Sequence, residues 1–122
     1  MTETKLKVIV KAKELAKHTF VVTSNSDNFP KKYRHSIVDK MQVKSLEIIE
    51  VLFEANRINN VTNKNLRCET ITQAITYCDE LHTFIELAMD LKLINGRKAE
   101  YWSKLVSDVK HMAIAWRKRE RE

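Results

Sequence analysis

Glycine and proline each occur once in the 122 residues, as Gly96 and Pro30. Sheets and loop-rich folds use both residues for their turns, so this scarcity excludes most of them and favours long helices joined by few connections. There are only two cysteines, Cys68 and Cys78. They lie in one helical stretch, where ten residues span about 15 Å, too far for a disulfide within that helix. Both are expected as reduced, partly buried thiols. No apolar run approaches the roughly 18 to 20 residues that span a bilayer. The N-terminal MTETKLKVIVKAKELAK has a short apolar core interrupted by lysines and lacks the hydrophobic region and cleavage site of a signal peptide. A cytoplasmic protein without membrane contact is expected. One glycine cannot build a phosphate-cradling loop, and neither HExxH nor a paired CxxC is present.

The chain does have the makings of a core. Hydrophobic residues make up 43% and charged residues 31%, a globular mixture in a chain long enough for one domain over residues 1–122. Four segments repeat apolar residues at three- and four-residue steps. The first spans about residues 4–22 and carries Leu6, Ile9, Val10, Ala16 and Phe20. TSNSDN (23–28) stops it with side chains that compete for backbone hydrogen bonds. Phe29-Pro30 is an elbow, because proline disfavours helix before itself and suits the first turn after. The second segment starts between Pro30 and Ser36 and runs to about Ile58. It has one stripe of Ile37, Met41, Ser45, Ile48, Leu52 and Ala55, and another of Val38, Leu46, Ile49 and Phe53. A helix apolar on two sides takes a central place in a bundle or meets another subunit.

Asparagine-rich NNVTNKN (59–65) is the next break, with Thr62 or Asn63 as helix cap. The third segment runs to about Ile94 on Leu66, Ile71, Ile75, Cys78, Leu81, Ile85, Ala88 and Leu91. Gly96 is expected as its terminator. The fourth, about 97–118, carries Ala99, Trp102, Leu105, Val106, Val109, Met112, Ala113 and Trp116. Together they predict an all-α fold, an antiparallel up-down-up-down four-helix bundle, with both tryptophans in its core.

The chain carries 22 Lys/Arg against 16 Asp/Glu, a net charge of +6, and the surplus sits near both chain ends. Lys31, Lys32 and Arg34 open the second helix. Arg117, Lys118, Arg119 and Arg121 close the fourth, with Lys5, Lys7 and Lys11 at the same pole. Cations near a helix C-terminus complement its dipole, so the tail has a local structural reason. Cations at a helix start oppose it, so Lys31, Lys32 and Arg34 are the stronger candidates for phosphate contact. The carboxylates Glu47, Glu50, Glu54, Asp79 and Glu80 read as solvated or paired with nearby Lys and Arg rather than as acid/base catalysts. His18, His35 and His111 are isolated. Cys78 with His82 supplies two metal ligands where a structural zinc site needs four. Asp108 and His111 lack the matching second pair of a di-iron bundle. The expectation is a protein that is not an enzyme and has no cofactor or metal.

The segments FPKKYRHSIVDKMQ, SLEIIEVLFEANR, CDELHTFIELAMDLKLI and YWSKLVSDVKHMAIAWRK together resemble the accessory variability determinant proteins of diversity-generating retroelements. That group is similar to the four-helix bundles encoded by intervening sequences in bacterial ribosomal RNA genes. The likeness covers about residues 15–118. It implies a homopentamer with a positively charged surface. It also implies a non-catalytic accessory that binds a reverse transcriptase and template RNA and supports mutagenic cDNA synthesis. The alternative expectation is a structural, oligomerising bundle of the intervening-sequence type, without nucleic-acid binding.

Overall fold

The computed structural model describes the backbone of residues 3–122 and the side chains of residues 7–122. It contains four α-helices: α1 (Glu3–Ser24), α2 (Asp39–Arg57), α3 (Lys64–Asp90) and α4 (Gly96–Arg121). A 3-10 turn (Lys31–Tyr33) and a π turn (Arg34–Val38) lead into α2. Each helix packs on its neighbours in sequence, and α4 closes back on α1, which makes a helical bundle. The order of its contacts is antiparallel. Gln42 Nε2 donates to Thr23 Oγ1 (2.9 Å), joining the start of α2 to the end of α1. Along α3 and α4, Arg67 meets Glu120, Arg117 meets Thr72, and Lys110 meets Asp79. Among the described residues no helix is long and apolar enough to cross a membrane.

The core follows the helical repeat. Ile37 on the π turn and Met41, Ser45, Ile48, Leu52 and Ala55 on α2 are all buried, as their spacing predicts. Ile71, Ile75, Cys78, Leu81, Ile85 and Ala88 do the same on α3. Trp102 and Trp116 are closed from solvent, and each fully buried large side chain contributes about 1.5–3 kcal/mol. Trp102 Nε1 donates to Thr19 Oγ1 (3.0 Å), while Thr19 Oγ1 donates to the Leu15 carbonyl (2.8 Å). A buried indole N–H thus finds its acceptor on α1. Cys68 and Cys78 are buried free thiols.

Several expectations fail in detail. Val10 is 47% exposed, because the buried face of α1 is Val8, Ile9, Ala12, Leu15, Ala16, Thr19 and Thr23. Leu6, expected on the stripe, lies outside the described side chains. On the second stripe of α2, Val38 is buried and Ile49 half-buried, but Leu46 and Phe53 are 44% and 52% exposed. Leu66 and Leu91 are also exposed, at the two ends of α3.

Gly96 does not terminate α3. It is the first residue of α4, capped by Asn95, whose side chain accepts the Lys98 N–H (2.9 Å). A Cβ at Gly96 would meet nothing within 4 Å. The stop is Lys92, at φ 62°, the left-handed conformation that usually falls to glycine. Leu93 N–H bonds the Ala88 carbonyl and Lys92 N–H the Met89 carbonyl, both at 2.9 Å, which closes the end of α3 as a Schellman motif.

Candidate nucleic-acid interface

The elbow is built on Phe29. Its ring is buried and meets Trp102 edge-on, with centroids 6.3 Å apart and planes at 84°. Pro30 follows in an extended conformation (φ −54°, ψ 154°) and begins the 3-10 turn. The π turn then buries Ile37 and Val38. With the apolar side chains turned in, Lys31, Lys32, Arg34 and His35 are left exposed. Lys32 Nζ lies 5.2 Å from the Tyr33 ring centroid. A cleft of about 350 Å³ opens here, lined by Lys31, Arg34, His35, Thr23, Ser24 and Ser26 among others, with Asp39 its one acidic side chain.

The turn between α3 and α4 brings more cations to this end. Lys92, Arg97 and Lys98 are exposed, and Lys98 Nζ donates to Asn28 Oδ1 (2.9 Å) in the loop before the elbow. These three were not among the residues expected from sequence. The signal was present, because an antiparallel order places any cation flanking Asn95-Gly96 beside the start of helix 2. Among the described residues, Lys31, Arg34, Lys92 and Arg97 have no ion-pair partner.

The other basic cluster lies at the opposite end, as expected, and is wired differently. Arg117 is half-buried and donates from Nη1 to Thr72 Oγ1 (3.0 Å). Lys118, Arg119 and Arg121 are exposed, and the Arg121 carbonyl accepts from Lys64 Nζ (3.3 Å). Beneath them Arg67, only 3% exposed, donates from Nη1 to the Ile58 carbonyl (2.6 Å). Its Nη2 stands 3.0 Å from Glu120 Oε1, and Trp116 Nε1 donates to the same oxygen (2.8 Å). The Nη2 contact is an ion pair without the alignment of a hydrogen bond, and Arg67 Nε finds no acceptor. The guanidinium also lies over the Trp116 ring, 5.3 Å from its centroid. Sequence reading missed this buried arginine, since a lone Arg in a helical pattern looks like a surface residue. Lys5, expected to thicken this pole, lies outside the described side chains.

Of the carboxylates singled out in the sequence, Glu47, Glu54, Asp79 and Glu80 are paired. Lys44 bridges Glu80 (2.8 Å) and Glu47 (3.4 Å) with its ammonium 4.1 Å from the Tyr77 ring centroid. Burial alone would lower the Lys44 pKa, but the hydrogen bonds and charges of Glu80 and Glu47 outweigh it and hold it above the ordinary value. Asp79 pairs with Lys110 (2.6 Å) and Glu54 with Arg57. Burial, reinforced by the nearby Asp79 charge, pushes the Cys78 thiol up to about 12, which leaves it a poor nucleophile. No three His, Cys, Asp or Glu side chains among the described residues are grouped to hold a metal ion. No protein-family model, curated protein or solved structure matches this chain.

Proposed function

We propose that this chain is a non-catalytic accessory protein that binds RNA through the elbow end of its bundle. The observation that carries the reading is the gathering there of Lys31, Arg34, Lys92 and Arg97, exposed and without acidic partners among the described residues. Unpaired cations on a compact surface attract phosphate and release its counterions. The sequence likeness to retroelement accessory proteins supplies the biological setting. In it the chain assembles as a homopentamer and holds template RNA for a reverse transcriptase during mutagenic cDNA synthesis. Lys32, Lys118, Arg119 and Arg121 extend the basic surface, and Arg117 takes part to the extent that its bond to Thr72 allows.

The test is RNA binding at low and moderate salt, first with the chain alone and then with reverse transcriptase added. The expected result is a complex whose affinity falls steeply as salt rises. Absence of RNA binding at low salt under both conditions overturns the reading. It would leave the oligomerising bundle without nucleic acid, which the exposed Leu46 and Phe53 on α2 favour.

A further inference from the structure

A second hollow lies beside the elbow cleft, and its chemistry is different. It holds about 330 Å³, and the surface lining it is almost entirely apolar. Ligand pockets begin at about 300 Å³. His18, Val21 and Val22 of α1 form one side, and Arg97, Lys98 and Tyr101 of α4 the other. Arg97 and Tyr101 stand four residues apart, so they share one face of their helix. Tyr101 is 55% exposed. Of the described Phe, Tyr and Trp side chains only Phe53 is comparably open, and it lies near the far end of α2. His18 meets the Tyr101 ring edge-on, with centroids 5.0 Å apart. Burial lowers the His18 pKa, so that ring is uncharged at neutral pH and belongs to the apolar lining. No carboxylate among the described residues lines the hollow. Asp27 and Glu100 are chain neighbours of lining residues but stand outside it. The loop after α1 separates the two hollows, with Ser24 and Ser26 lining the elbow cleft and Asn25 and Asn28 lining this one.

We infer that this hollow takes an unpaired RNA base, stacked on the Tyr101 ring, with the neighbouring phosphates on Arg97 and the elbow cations. The inference rests on the RNA reading and names the form of RNA the site selects, a single strand with bases free of their neighbours. In a duplex the base faces are covered by adjacent pairs and cannot reach a side-chain ring. An aromatic face beside a cationic track holds single strands without a sequence code, because every base has a flat face. The rim and the lining of the hollow ask for different things. An apolar side chain of a protein would fill the lining but leave Arg97 without a counter-charge. A free anion would pair with Arg97 and leave the lining wet. A nucleotide brings a flat ring and a phosphate together. Lys98 contributes less, since its ammonium already donates to Asn28 Oδ1 (2.9 Å) and so ties down the loop between the two hollows.

The experiment compares a short single-stranded oligoadenylate with an abasic oligomer of the same length, which keeps the phosphates and lacks the bases. Affinity for the full chain is measured over a series of salt concentrations. The oligoadenylate should bind on the order of tenfold more tightly. Tyr101→Leu keeps apolar bulk and loses the flat face, so it should erase that difference and leave the salt slope unchanged. Tyr101→Phe should preserve the difference. Arg97→Gln should weaken both oligomers and reduce the salt slope by about 0.7. Circular dichroism checks that each variant is folded, and Tyr101→Gln takes the place of the leucine variant if that one is not. Equal affinity for the two oligomers overturns the inference while the RNA reading stands. So does a preference for bases that survives the loss of the Tyr101 ring. Failure of both oligomers to bind at low salt, with or without reverse transcriptase, overturns the inference together with the reading it rests on.

Discussion

The two ends of the bundle are both basic, yet they use their charge in opposite ways. At the tail end the inner cations belong to the fold, while Lys118, Arg119 and Arg121 stay exposed. Arg67 is buried against Glu120 and Trp116, Arg117 bonds Thr72, and Lys64 donates to the Arg121 carbonyl at the end of α4. Lys118, Arg119 and Arg121 also sit where the helix dipole welcomes positive charge. At the elbow end apolar residues hold the structure, through Phe29, Ile37 and Val38, and the cations stand outside it. Lys31 and Lys32 lie in the last turn of a 3-10 segment that has no acidic residue in its first turn and no side-chain cap. Equal signs of charge thus conceal a difference in engagement. A cation already bonded within the fold has less to offer a phosphate than one with water as its only partner.

Four measurements would break or sharpen that contrast. The largest expected effect is structural and belongs to the tail. Glu120→Ala leaves the Arg67 guanidinium buried without its counter-charge and should cost about 3–5 kcal/mol in denaturant unfolding. A loss below about 1 kcal/mol would mean that the tail end is not held by this pair. Next is the elbow. Lys31→Gln, Lys32→Gln and Arg34→Gln together should lower RNA affinity on the order of a hundredfold at low salt and reduce the salt slope by about two. Stability should stay within about 0.5 kcal/mol, as for surface changes elsewhere. Lys118→Gln, Arg119→Gln and Arg121→Gln should lower affinity less, and an equal loss would erase the difference between the ends.

A smaller effect separates stability from binding at one residue. Lys92→Gly relieves the left-handed backbone and should stabilise the fold by about 1 kcal/mol, read as a raised denaturation midpoint, while removing one elbow cation. The smallest effect concerns His18, whose ring lies 5.0 Å from that of Tyr101 and 6.1 Å from that of Trp102. Burial there lowers its pKa below 6.5, so folding favours the neutral ring. The unfolded chain takes up the proton first as pH falls. This contribution is therefore present above pH 6.5 and lost as pH drops below it towards the folded-state value. Unfolding followed between pH 7 and 5 should show that slope, and His18→Gln should flatten it.

Much of the bundle was legible in the sequence, because helical periodicity reports which face is wet and which is dry. The buried stripe of α2 and the tryptophans of α4 follow from spacing alone. Phe29-Pro30 was legible as an elbow because proline restricts both itself and its predecessor. What escaped were choices made by tertiary contacts. Val10 fits a helical stripe as well as Val8 does, and only the rotation of α1 against its neighbours decides between them. Arg67 is buried because Glu120, 53 residues later in the chain, comes to meet it. Lys92 adopts the left-handed conformation although glycine stands four residues further on, since the α3 chain must end where its core stripe ends. Of the candidate site, Lys31, Lys32 and Arg34 were visible as a run. Lys92, Arg97 and Lys98 join them only when the helices are folded side by side.

The π turn at Arg34–Val38 gives the elbow an unusual sensitivity to chain length. A π turn accommodates one residue more than an α turn, and such insertions are the means by which a helix changes phase without a break. Losing a single residue from this segment would let the turn close as ordinary α-helix. Everything before it would then rotate by about 100° around the axis of α2, while Asp39–Arg57 kept its register in the core. Lys31 and Lys32 would face a different neighbour with no side chain substituted. The direction in which this end presents its charge is thus encoded by a residue count, and a one-codon deletion would redirect it.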